Sequence, residues 1–264
     1  MTFIDNRFAL ITGATSGIGY ELAKIFAAHD YNLVIVARTA AELERVALEL
    51  IELYGIRVIP IPVDLAKRTA PFELYQDIRE RGLRVDVLVN DAAQGVYGKF
   101  ADTDINTELD ILQLNVGAYL VLTKLFLREM LVRGSGRILN VASIAGKFPG
   151  PYQSVYHGTK AFIHSFTEAI RAETEGSGIT ITSLLPGATA TDFFRKANME
   201  DSKILDTELA DPAEVARDGF DALMAGEDMV ISGFKNKAQV AASNLTPDHL
   251  LAKGVLRQQE PRQH

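Results

Sequence analysis

The sequence contains no cysteine. Disulfide staples, thiolate nucleophiles and cysteine-ligated metals are therefore excluded together. Histidine is scarce as well, and the five present, at 29, 157, 164, 249 and 264, have no metal-ligand spacing. Basic charge is in deficit, with 27 Lys and Arg against 34 Asp and Glu and a net charge of −7. Such a chain is a poor general binder of nucleic acid or of an anionic membrane, although local backbone N–H groups and a few arginines can still hold an anionic small molecule. Residues 1–7 lack the basic-then-apolar order of a signal segment, and no apolar run approaches the ~20 residues needed to span a bilayer. The expectation is a cytoplasmic protein with no metal, no nucleic-acid partner and no membrane partner.

What is present is an alternation of short β-branched runs with longer amphipathic stretches. Residues 8–12, 32–37, 57–62, 85–90, 137–142 and 179–185 read as strands, several of them apolar at consecutive positions, as strands buried on both faces are. Between them, residues 16–29, 40–54, 104–132 and 154–175 read as helices, and Asp211-Pro212 opens another. Asp104 is an N-cap candidate and Gly55 a helix stop. Beyond Asp228 the pattern weakens to a last strand at 229–232 and short helices at 236–243 and 247–253. These features predict one α/β domain, residues 1–253, built as a doubly wound parallel sheet of about seven strands with helices on both faces. Residues 254–264 read as a disordered polar tail.

Between the first strand and its helix stands Thr12-Gly13-Ala14-Thr15-Ser16-Gly17-Ile18-Gly19. Glycines at 13, 17 and 19 let the backbone turn sharply and approach a pyrophosphate, which the N–H groups at the start of the next helix would hold. Farther on, Tyr156 and Lys160 are four apart on one helical face, and Ser143 lies at the end of the preceding strand, thirteen residues before Tyr156. A carbonyl that gains a hydride becomes an alkoxide needing a proton, and a nearby ammonium favours ionisation of a tyrosine whose free pKa is about 10.

The loop at Thr12–Gly19, followed in order by Asn115, Ser143, Tyr156 and Lys160, resembles the short-chain dehydrogenase/reductase family from about Phe8 to Thr191. The resemblance implies that Tyr156 is the acid in reduction and the base in oxidation. It further implies that Lys160 also holds the nicotinamide ribose, that Ser143 bonds the substrate oxygen and that Asn115 anchors a water. It assigns Asp64-Leu65 to the adenine, and Pro186, Gly187, Thr189 and Thr191 to the carboxamide. Asn90, Asp91, Ala92 and Ala93 correspond to the family's N-N-A-G turn beside the nicotinamide ribose, with Asp91 and Ala93 departing from it and Asn90 and Ala92 retained. Ala37 stands where NAD-preferring relatives carry Asp, and Arg38 follows it. Arg38 can grip a 2′-phosphate, with Thr39 and Thr15 or Ser16 adding hydroxyls, so the expected cofactor is NADP(H).

The pocket for the substrate is expected at residues 94–97, 144–153 and 189–210, which carry Tyr97, Phe148, Tyr152, Phe193 and Phe194 with few charges beyond Lys147. This lining suits an apolar or aromatic ketone or aldehyde, or the corresponding alcohol. Two other readings share parts of the pattern: an NADP-dependent epimerase or dehydratase, which usually has a longer chain, and a non-catalytic NADP-sensing regulator, which typically loses Tyr or Lys. The helices at 104–132 and 154–175 carry Leu112, Val116, Tyr119, Leu120, Phe126, Ala161, Phe162, Phe166 and Ala169 spread widely around them. In relatives these helices meet across a two-fold axis, which implies a homodimer, with a tetramer as the alternative.

Overall fold

The computed structural model describes residues 7–262. Among them, seven strands form one parallel sheet in the order β3-β2-β1-β4-β5-β6-β7. They are β1 (Phe8–Thr12), β2 (Asn32–Ala37), β3 (Val58–Pro62), β4 (Val85–Asn90), β5 (Gly136–Val141), β6 (Ile179–Leu185) and β7 (Met229–Ile231). The helices are α1 (Gly17–Ala28), α2 (Ala40–Tyr54), α3 (Ala70–Glu80), α4 (Ile105–Leu112), α5 (Tyr119–Arg133), α6 (Ser154–Glu173), α7 (Phe193–Lys196), α8 (Pro212–Ala225), α9 (Phe234–Ser243) and α10 (Asp248–Gln259). The doubly wound parallel sheet expected from the sequence is the architecture observed.

Side chains alternate across the sheet, so β1 feeds two cores. Phe8 and Leu10 join Leu74, Phe126 and Ile138 on one face. Ala9 and Ile11 join Leu22, Phe26, Leu43 and Phe220 on the other. Helices cover both faces, which is why β1 and its neighbours are apolar at nearly every position. Phe26 fixes the approach of α1 to α8 by meeting Tyr31 and Phe220 edge-on, at 5.3 and 5.0 Å.

Helix boundaries follow local chemistry. The Asp104 carboxylate accepts from the Thr107 N–H at 2.9 Å, which lowers its pKa. Asp211 accepts from the Ala213 N–H at 2.9 Å, with Pro212 following at the first helical position. Gly55 ends α2 at φ 67° and donates its N–H to Ile51 O.

Three segments differ from expectation. The long helix expected at 104–132 is present, but α4 and α5 are joined by an unexpected π-helical stretch, Gln113–Ala118. By length and composition this helix, Ile105–Arg133, whose most apolar 18-residue stretch has mean hydropathy 1.3, could cross a membrane, contrary to the expectation that no segment is long and apolar enough. Its residues Leu114, Leu122, Phe126 and Met130 are buried in the core under the sheet. Tyr119 and Phe126, expected on an outward apolar face, are therefore interior, whereas Leu109, Leu112 and Phe162 remain exposed. The second difference is α3, which the sequence pattern does not reveal because Pro71 and a mostly polar composition obscure its apolar positions Leu74 and Ile78. The third is the tail. Residues 254–259 are not disordered but complete α10, with Val255 and Gln259 buried. Long-range contacts hold this end: Ser202 Oγ donates to Gln259 O at 3.4 Å, Lys203 pairs with Glu260 at 3.2 Å, and Arg262 pairs with Asp206 at 2.6 Å. Residues 1–6, which carry most of the signal-segment argument, and residues 263–264 lie outside the described residues.

Two glycines make a test of opposite sign. Gly158 sits inside α6 with open space where a side-chain methyl would lie, and Gly55 occupies the left-handed region with equal space. Gly158→Ala should raise the urea unfolding free energy by about 1 kcal/mol through helix propensity, and Gly55→Ala should lower it by about 1 kcal/mol through backbone strain. Equal signs would contradict these helix boundaries.

Candidate active site

β1 and β4 are paired neighbours, yet the chain leaves β1 toward β2 and leaves β4 toward β5. The loops beyond them diverge and open a crevice at the carboxyl ends of the strands. A cavity of about 1450 Å³ fills it. Thr12 ties the two loops together at their root: its hydroxyl accepts from the N–H groups of Asp91 and Ala92, at 3.0 and 3.1 Å, and donates to Val89 O at 3.3 Å.

The expected phosphate loop borders this cavity through Gly13, Thr15, Ser16, Gly17 and Ile18. Gly13 and Gly17 adopt φ of 74° and 59°, and a Cβ on Gly17 would lie 2.8 Å from the Thr191 methyl. The Ser16 side chain makes no capping bond, so the Gly17 and Ile18 N–H groups that open α1 would face an anion without a side-chain competitor. Gly19 does not line the cavity. Its N–H bonds the Asp91 carboxylate, and a Cβ there would come 2.6 Å from Asp91 Oδ2.

At the other end Ala37, Arg38, Thr39 and Leu65 line the wall, and Arg38 makes no ion pair among the described residues. Glu42 and Arg45 of α2 join them, and neither was anticipated. A basic residue on the first two turns after Thr39 was the available signal. Asp64 lies outside the wall and holds a turn, accepting from the Ala66 N–H at 3.2 Å.

Ser143, Tyr156 and Lys160 converge on the same cavity, with Pro186, Gly187, Thr189, Thr191 and Ala92 around them. The Ser143 hydroxyl accepts from the Ala145 N–H at 3.1 Å. Lys160 is buried, donates to Val141 O at 2.7 Å, and lies 5.8 Å from the centre of the Tyr156 ring. Burial pushes the Tyr156 hydroxyl above its ordinary pKa, opposed by a hydrogen bond with Ser143 and reinforced by the charge of Asp91. The lowering anticipated from Lys160 is not the dominant influence here. Burial lowers Lys160 itself, opposed by Asp91, and burial raises Asp91, opposed by Lys160 and by the Gly19 N–H.

Asn115 and Asn90 are not part of the cavity wall. Asn115, in the π-helical stretch, accepts from Gln94 N at 2.9 Å and donates to Gln94 O at 2.9 Å and Thr159 Oγ1 at 3.1 Å. It braces the loop after β4 against α6. Asn90 donates to Thr123 Oγ1 and Asn140 Oδ1, linking β4, α5 and β5 in the interior. Of the aromatic residues assigned to the substrate pocket, Phe148, Phe193 and Phe194 line it. Tyr97 and Tyr152 instead stack on each other at 5.3 Å beside a smaller recess, and Lys147 meets His164 at 2.5 Å. Val255 and Gln259 of α10 also line the cavity, and the sequence pattern, which points to a polar tail there, carries no sign of them.

A family model described as short chain dehydrogenase matches residues 7–202. The chain belongs to the short-chain dehydrogenase/reductase family. It is 34% identical over 187 residues to ketoacyl reductase HetN of Nostoc sp., a match covering 71% of this chain and 65% of that protein. It is 32% identical to dehydrogenase/reductase SDR family member 7B of Mus musculus over 93% of this chain and 79% of that one. With several curated relatives, then, the match spans less than two thirds of the relative's length. Among solved structures, a study of 7β-hydroxysteroid dehydrogenase stereoselectivity supplies one with TM-score 0.85 and 26% identity, covering 94% of this chain and 96% of that one. A short-chain dehydrogenase from Sphingobium yanoikuyae in complex with NADPH gives TM-score 0.82 at 26% identity, covering 98% of each chain. The fold of this short-chain dehydrogenase/reductase is theirs.

Asp91 makes a pH test. An acid whose folded pKa is raised holds its proton over a range where the unfolded chain has lost it. Stability therefore falls as pH climbs from about 4 through the raised value. Asp91→Asn should remove that loss, so its stability relative to wild type should rise with pH across this window in urea unfolding. A difference that stays flat with pH would refute the raised pKa of Asp91.

Proposed function

We propose that this enzyme is an NADP(H)-dependent carbonyl reductase acting on a bulky apolar or aromatic ketone or aldehyde, reversibly with the alcohol. The observation that carries the reading is the convergence of Ser143, Tyr156 and Lys160 on the cavity that the phosphate loop also borders. The residues present fit a dinucleotide. The open start of α1 would take the pyrophosphate, and the close approach of Gly17 to Thr191 leaves no room for a side chain in that cradle. At the adenosine end Arg45 is paired with Glu49 at 3.0 Å, and the exposed Arg38 guanidinium is the cation left to favour a 2′-phosphate. The NADPH complex of the Sphingobium yanoikuyae relative supports the same choice.

Bound NADPH would supply the hydride. The protein's part is then the oxygen of the substrate. The Ser143 hydroxyl would donate to it and fix its direction, and Tyr156 would give up its proton as negative charge develops there. Burial holds the Tyr156 proton firmly in the free enzyme and lowers Lys160 as well, so the proton would move only as negative charge develops on the substrate oxygen. Asn115 would act by holding Gln94 and Thr159 in place. Phe148, Phe193 and Phe194 supply the apolar wall, with the Phe193 ring 4.9 Å from that of Tyr156. The steroid-dehydrogenase neighbour is in keeping with a bulky substrate.

A panel of ketones and aldehydes assayed by absorbance loss with NADPH and with NADH tests this reading. NADPH should give the higher kcat/KM. Tyr156→Phe should bind NADPH within a few-fold of wild type and lose at least about 100-fold in kcat. A variant keeping a tenth of the wild-type rate would remove Tyr156 as the acid.

The exposed residues Leu109, Leu112 and Phe162 on α4 and α6 support a homodimer through these helices. Light scattering at micromolar concentration should return about twice the 28.9 kDa chain mass. A monomer mass would refute the pairing.

A further inference from the structure

The following rests on the reductase reading and concerns what the substrate carries away from its carbonyl. Gln153, just ahead of α6, and Gln259, at the end of α10, both line the cavity although they are only 5% and 6% exposed. Each has one side-chain polar atom buried without a partner, Nε2 of Gln153 and Oε1 of Gln259. Buried polar groups are nearly always satisfied, so two orphans in one cavity wall call for a ligand.

His157 fixes which atom of Gln259 is free. The ring Nδ1 lies 3.0 Å from Phe148 O, which can only accept, so Nδ1 carries the hydrogen. The buried ring is neutral and its Nε2 is therefore an acceptor. Gln259 Nε2 stands 3.2 Å from it and must donate, which leaves Oε1 as the unpaired acceptor. Gly150 makes this arrangement possible, because a Cβ there would lie 2.1 Å from the His157 ring. On the Gln153 side, a Cβ built on Gly95 would meet Phe193 at 2.8 Å and Gln153 Nε2 at 3.2 Å, so the donor adjoins the ring that packs on Tyr156.

We propose that Gln153 and Gln259 form a neutral polar subsite that recognises a hydroxyl or carboxamide on the substrate, separate from the carbonyl being reduced. One residue offers a donor and the other an acceptor, which matches a group that both donates and accepts. The Gln259 acceptor disfavours a carboxylate in the same place.

Matched ketone pairs test the subsite: acetophenone against para-hydroxyacetophenone, and para-acetylbiphenyl against its para′-hydroxy and para′-carboxamide derivatives. Wild type should favour a polar member of at least one pair by about tenfold or more in kcat/KM. Gln259→Met and Gln153→Met should each bring that ratio toward one, and the ratio within each protein is read rather than the absolute rate. A second readout, the dissociation constant of the same pairs with NADP+ bound, separates the subsite from the reaction. No turnover of any ketone combined with the polar preference in binding would overturn the reductase reading and keep the subsite. Ratios near one in both readouts, or variants that keep the wild-type ratio, would overturn the subsite.

Discussion

The hydroxyl of Thr12 is the fastening from which the rest of the site is built. Strands β1 and β4 lie side by side, and the chain departs from them in opposite directions, so nothing in the sheet itself holds the two departing loops in register. Thr12 does so with three hydrogen bonds, to Val89, Asp91 and Ala92. The phosphate loop on one side and the turn after β4 on the other are thereby set at a fixed separation. Close packing of Gly13 and Gly19 against Asp91 then leaves no side-chain volume between them. Asn90 and Asn115 extend the same bracing inward, to β5 and α6.

The electrostatics of this crevice are governed by burial more than by pairing. Asp91, Lys160 and Tyr156 all sit in low-dielectric surroundings, and each shifts in the direction that disfavours its charged form. Asp91 and Lys160 partly relieve one another, and the Gly19 N–H at the start of α1 adds to the relief of Asp91. A carboxylate in place of the usual amide therefore does more than complete the turn. It opposes the lowering of Lys160 and adds to the raising of Tyr156 before any ligand arrives.

The far wall is contributed by the end of the chain. α10 brings Val255 and Gln259 against the cavity, and the contacts of Lys203, Ser202 and Arg262 bind its end to the stretch after α7. Aromatic side chains from residues 148, 193 and 194 and the buried amides of Gln153 and Gln259 thus face one space. That space combines an apolar wall with polar groups at a few defined points, the composition of a selective small-molecule site.

Sequence alone determined the doubly wound sheet, the glycine turn after β1 and the facing of Ser143, Tyr156 and Lys160 onto one cavity. Each is encoded locally: apolar runs buried on two faces, glycines where φ is positive, and a four-residue helical spacing. Tertiary structure decided the rest. Tyr97, Tyr152 and Lys147 look like pocket residues in sequence, yet each is taken up by a partner distant in the chain or by the smaller recess. The route of α10, the burial of Tyr119 and Phe126, and the placing of Asn90 and Asn115 behind the wall all depend on which neighbour each residue meets. A polar segment such as 254–259 carries no periodic signal strong enough to announce a helix, because its order comes from contacts with residues some fifty to one hundred positions away.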